Sequence, residues 1–201
     1  MKTARAILIW GALAAAVAIP TLVAAGSPLL AWRDPVYIAA SFTGIAALAL
    51  LLVQPLLAGG YLPGMPTGKG RRIHRVTGAA LVICVIAHVG TLWVTSPPDV
   101  VDALLLVSPT PFSIWGVIAM WAVFAAALLA TRKARLRPRT WRITHTALIA
   151  VVVPATVAHA LLIEGAMGTV SKLALCALAL AATAKAVADL RVWVLVRRSR
   201  S

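Results

Sequence analysis

Apolar residues fall into six long blocks, each bounded by proline, glycine or charge: about Ile7–Ala25, Val36–Leu57, Ile73–Val94, Phe112–Ala130, Ile143–Ile163 and Val170–Leu190. A helix crosses the hydrocarbon core of a bilayer in about 20 residues, so each block is predicted to be a membrane-spanning helix. The sixth is expected to run on, longer or tilted, through Val192–Val196. Gly26-Ser27-Pro28, the stretch from Gly59 to Gly70, Ser96-Pro97-Pro98 and Pro109-Thr110-Pro111 mark joints, because glycine and proline punctuate helices. No joint is long enough for a soluble domain. The expected fold is therefore an all-α integral membrane protein, a six-helix bundle forming one domain over residues 1–201. The first block follows Lys2 and Arg5, as the core of a signal peptide would. It exceeds the usual signal core of about 7–15 residues and keeps the number of spans even, so it is read as a retained span. On the outer side, Asp99–Val107 is apolar enough for a short helix lying on the membrane.

Composition agrees with this pattern. Of 201 residues, 62% are hydrophobic and only 12% charged, against about 25% charged in soluble domains. So few polar side chains cannot cover a soluble fold. The formal net charge is nevertheless +14, which on a soluble chain would raise the question of nucleic acid. Here the charge alternates with the joints. Lys2 and Arg5, then Lys69, Arg71, Arg72 and Arg75, then the run Arg132 to Arg142, then Lys185 and the C-terminal arginines share one side, with Asp189 as its one acid. The other joints hold Arg33 and Lys172 against Asp34, Asp99, Asp102 and Glu164. The faces carry about +16 and −2, and the positive-inside rule puts both termini in the cytoplasm of a cell membrane. Nucleic acid drops out as a partner. Trp32, Trp93, Trp115, Trp141 and Trp193 lie near span ends and are read as interfacial anchors. Cys84 and Cys176 form neither a CxxC site nor a disulfide framework.

All four histidines lie in two spans. His74 and His88 sit in the third and His145 and His159 in the fifth, each pair separated by 14 residues. Fourteen residues close nearly four turns, so each pair shares a helix face with an axial offset of about 21 Å. The third and fifth spans run in the same direction. His74 is therefore level with His145 near the cytoplasm, and His88 with His159 toward the outside. Facing histidines at two depths are what two bis-histidine haems stacked across a bilayer require. Zinc fits less well, since two histidines per level make only half a tetrahedral site. Gly78, one turn after His74, would let a porphyrin approach the backbone, and Pro154 would bend the fifth span. Arg71, Arg72, Arg75 and Arg142 gather at the inner level, where they would pair with haem propionates.

With Arg71-Arg72-Ile73-His74 and His88 in the third span, and Trp141, His145 and His159 in the fifth, the chain resembles the ferric reductase-like transmembrane domain. That domain is shared by NADPH oxidases, ferric reductases and the haem-binding membrane subunit serving a periplasmic methionine sulfoxide reductase. The resemblance covers the six-span core and implies pairing of His74 with His145 and of His88 with His159 around two haem b groups. It departs from the oxidases in having no GxGxxG unit for a flavin and nicotinamide domain, so a separate donor is expected. It departs from the sulfoxide reductase subunit in His74, which is not a fixed feature there.

The expected function is transmembrane electron transfer, from a cytoplasmic flavoprotein or the quinone pool to a periplasmic reductase, ferric iron or oxygen. A flavin or quinone is a further candidate cofactor. Two rivals are a quinol- or ascorbate-linked two-haem cytochrome b of another fold and a haem-free transporter with functional histidines. Four other features receive plainer readings. Cys84 is a small packing residue, and Gln54, before Pro55, is a kink-associated amide or a contact for propionate or quinone. Lys185 and Asp189 pair at i,i+4. The run TRKARLRPRTWR binds membrane lipid headgroups or docks an acidic flavoprotein.

Overall fold

The computed structural model describes residues 2–190. Seven α-helices are found among them: α1 Lys2–Ala25, α2 Pro35–Ala58, α3 Thr67–Thr95, α4 Pro97–Leu104, α5 Pro111–Thr131, α6 Pro138–Leu162 and α7 Thr169–Asp189. All but α4 are long and apolar enough to cross a membrane, so the six expected spans are all present. Val192–Val196, Trp193 and the arginines beyond Leu190 lie outside the described residues.

Helix starts follow from local chemistry. α2, α4, α5 and α6 each open on a proline, whose fixed φ suits the first turn and whose missing N–H leaves no orphan there. Asp34 caps α2, accepting from Val36 N at 2.7 Å. The short outer helix differs from its expected bounds: it begins at Pro97 rather than Asp99 and ends at Leu104. Pro97 at the first position nucleates the turn early. The chain then leaves the helix through Leu106, which takes a left-handed φ of 61°.

Packing is organised as two helical hairpins. α2 packs most extensively on α3, and α5 on α6; α7 closes on both α2 and α6, and α1 lies at the periphery against α7 and α2. The core forms where Leu48, Leu51 and Leu52 of α2, Val152 and Val153 of α6, and Leu175, Cys176 and Ala179 of α7 meet. Outward faces are apolar too, with Ile7, Leu8, Val76, Ile83 and Val170 all exposed. That pattern suits hydrocarbon as solvent, since backbone polar groups are satisfied inside each helix. Small residues along α7 (Ala179, Thr183, Ala186) line its buried face and allow close helix approach.

At one end, the loop after α2 is tied to the end of α7. The Tyr61 hydroxyl donates to Asp189 Oδ2 at 2.6 Å, and the expected Lys185–Asp189 pair is formed at 2.9 Å. Burial of the ring and the hydrogen bond to Asp189 push the Tyr61 phenol up to about 12.

Candidate functional site

The two hairpins face each other across the histidines. α3 carries His74 and His88, and α6 carries His145 and His159. At the level of the second pair the rings meet, with centroids 6.4 Å apart and planes 82° to one another. Each ring is held from behind by its own hairpin partner. His88 Nδ1 donates to the Ala40 carbonyl of α2 at 2.8 Å, and His159 Nδ1 donates to the Phe112 carbonyl of α5 at 2.9 Å. A proton on Nδ1 leaves Nε2 as the unprotonated nitrogen, the state in which imidazole ligates a metal. His88 and His159 are thus the residues that would hold a metal or haem iron at this level.

Glycine makes both anchors possible. Ala40 and Phe112 stand four residues before Gly44 and Gly116, so each accepting carbonyl lies in the turn that a glycine closes. A Cβ at Gly44 would come within 3.1 Å of His88 Nδ1, and one at Gly116 within 2.7 Å of His159 Nδ1. A bare backbone is what admits the rings. Gly78, expected to serve such an approach, instead faces the Gln54 side chain of α2, 3.7 Å from where its Cβ would be.

The other pair is built differently. His74 Nδ1 lies 3.2 Å from the Gln54 carbonyl. The Gln54 side-chain amide lies 2.8 Å from Thr77 Oγ1 at one end and 2.7 Å from His74 Nδ1 at the other. Gln54 therefore serves the α2–α3 interface rather than a kink, and the tautomer of His74 fixes which end of the amide faces it. His145 has no such anchor. Its Nδ1 is buried without a hydrogen-bond partner among the described residues, and its ring stacks on Trp141 one turn earlier, centroids 5.3 Å apart and planes within 9°. Lys133 Nζ lies over the Trp141 ring at 4.3 Å.

Arg71, Arg72 and Arg75 are exposed at the same end of α3, and Arg142 donates to the Leu190 carbonyl at the end of α7 at 3.3 Å. Cys84 and Cys176 are free thiols. No group of three or more His, Cys, Asp or Glu side chains forms a metal cluster among the described residues, so the histidines come in twos and a tetrahedral zinc site is not assembled. Spacing alone gave the four histidines. The glycines and the Trp141 stack were missed, although a glycine in the middle of an apolar helix, level with a histidine of the next, is a signal that could have found them.

Residues 43–156 match the sequence profile of the family described as ferric reductase like transmembrane component. The matched stretch is more than half of the chain, runs from within α2 to within α6, and includes His74, His88 and His145, ending three residues before His159. No match was found among curated proteins or solved structures.

Proposed function

The chain belongs to the ferric reductase-like transmembrane family, membrane components that generally bind haem and work with separate redox partners, and from that premise we propose its particular role. It is a two-haem cytochrome b of the cell membrane with both termini in the cytoplasm. It takes electrons from a cytoplasmic or quinol donor to an acceptor outside: a partner reductase, ferric iron or oxygen. His88 and His159 hold the outer haem, and His74 and His145 the inner. The observation that carries this reading is the opposed His88–His159 pair, with rings at 6.4 Å and each Nδ1 held by a backbone carbonyl.

Held by His88 and His159, and by His74 and His145, haem would supply a one-electron ferric/ferrous couple. The chain supplies the setting. The Ala40 and Phe112 carbonyls fix the tautomer and aim of their histidines and raise ligand basicity. The apolar helices exclude water. Arg71, Arg72, Arg75 and Arg142 place positive charge at the inner level, suited to propionates. A quinol donor is supported by an apolar cleft of about 370 Å³ lined by Trp10, Leu13, Val53, Leu57 and Ile73.

The purified full-length protein should give the reduced-minus-oxidised spectrum of low-spin haem b, with close to two haems per chain. The His88→Ala and His159→Ala double variant should keep close to one. A colourless wild-type protein, or full haem retention in the double variant, defeats this reading. Flavin and quinone assayed in the same preparation identify the donor.

A further inference from the structure

Three of the four histidines share one design and the fourth breaks it. His74, His88 and His159 each direct Nδ1 to a main-chain carbonyl on the neighbouring helix of their own hairpin. His145 Nδ1 is buried yet meets no acceptor among the described residues. What holds its ring is a flat stack on Trp141, a residue four positions earlier on the same helix and so on the same face. The indole too has its nitrogen, Trp141 Nε1, buried without a partner among the described residues. Its place is set by packing and by the Lys133 ammonium over its face at 4.3 Å.

This difference has a chemical consequence. A hydrogen bond from Nδ1–H to a carbonyl pushes electron density onto the ring, making it a stronger donor to a metal and favouring the more oxidised ion. The outer site has two such rings and the inner site at most one, since the Gln54 side-chain amide, 2.7 Å from His74 Nδ1, competes for that nitrogen. The inner site also has the Lys133 ammonium over the Trp141 ring that stacks on His145. Ligand strength and local charge act in the same sense there.

We infer that Trp141 is the positioning residue of His145, standing in for the missing hydrogen bond, and that the inner site is in consequence the more easily reduced of the two. This rests on the two-haem reading above. Stacking on an indole restrains tilt of the imidazole but leaves its donor strength untouched, so His145 would orient a haem iron without adding the ligand strength that favours its oxidised state.

The test is a potentiometric titration, with haem quantified, on the full chain and on Trp141→Ala, Trp141→Phe and Gly116→Ala. Gly116→Ala crowds His159 and marks which one-electron step belongs to the outer site. Trp141→Ala should lose or turn high-spin about half of the haem, and the step affected should be the higher-potential one. Trp141→Phe, which keeps a flat ring, should restore the low-spin spectrum. Gly116→Ala should disturb the other, lower-potential step. If Trp141→Ala matches wild type in both steps, if it disturbs the lower step, or if Phe fails to rescue it, the inference is overturned. Should Trp141→Ala not fold, Gly116→Ala alone still decides which step is higher. A wild-type protein without haem defeats instead the reading on which the inference rests.

Discussion

A glycine inside a helix costs about 1 kcal/mol relative to alanine through backbone entropy, so replacing one in open space should stabilise the chain. Gly90 has nothing within 4 Å of where a Cβ would stand, and Gly90→Ala should raise stability by up to about 1 kcal/mol. Gly116→Ala should do the opposite. Its Cβ would lie 2.7 Å from the His159 ring, so the ring must move off the Phe112 carbonyl, at a cost of about 1–3 kcal/mol for overpacking. Gly44→Ala, with 3.1 Å of room, should fall between them. Thermal unfolding in detergent ranks the three variants, and equal midpoints for Gly90→Ala and Gly116→Ala would contradict the close-approach role. The histidines themselves were legible in the sequence, because a 14-residue spacing fixes a shared face whatever surrounds the helix. Gly44, Gly116 and the Trp141 stack were not, because they depend on how one helix is rotated against its neighbour, which periodicity within a single helix does not carry. Trp141 read as an interfacial anchor for the same reason.

At the scale of elements, the hairpins α2–α3 and α5–α6 repeat one plan: a glycine-bearing span backs a span with two histidines, and a main-chain carbonyl crosses from one to the other. The inner contact within the first hairpin adds Gln54, which reaches Thr77 and His74. Gln54→Leu removes the amide but leaves Thr77 bonded to the Ile73 carbonyl of its own helix. The expected loss is therefore about 1 kcal/mol, read as a lower unfolding midpoint, while a loss of several kcal/mol would mean the amide does more than bridge α2 and α3. The tie from Tyr61 to Asp189 makes a prediction in pH. The phenol is raised from 10.0 to about 12, so its contribution is complete below pH 10 and disappears as pH rises through 12. Spectrophotometric titration should show one tyrosine ionising late, and Tyr61→Phe should abolish that late phase. Span ends were legible to within a few residues because prolines and charges set them locally. α4 was misplaced by two residues at its start because Pro97 was read as a breaker, whereas a proline also opens helices.

For the whole molecule, the alternation of charge predicts that reporters fused after Lys133 face the cytoplasm and reporters fused within α4 face outward; the reverse pattern would overturn the orientation. The apolar outer faces and the arrangement of α7 across both hairpins follow from the same economy of polar side chains that was evident in the sequence. Which hairpin packs where was not, since six apolar helices of similar length fit together in many orders and only the side-chain contacts distinguish them. The axial spacing of the histidines then has a consequence for energy. Fourteen residues of helix span about 21 Å of a hydrocarbon core roughly 30 Å thick. A charge crossing the whole core exchanges about 2.3 kcal/mol with every 100 mV of membrane voltage. An electron moving from the level of His74 to that of His88 therefore exchanges about 1.6 kcal/mol per 100 mV. On the proposed orientation, with the interior negative, the voltage drives that movement and is drawn down by it, against a redox step that runs uphill from the more easily reduced inner site.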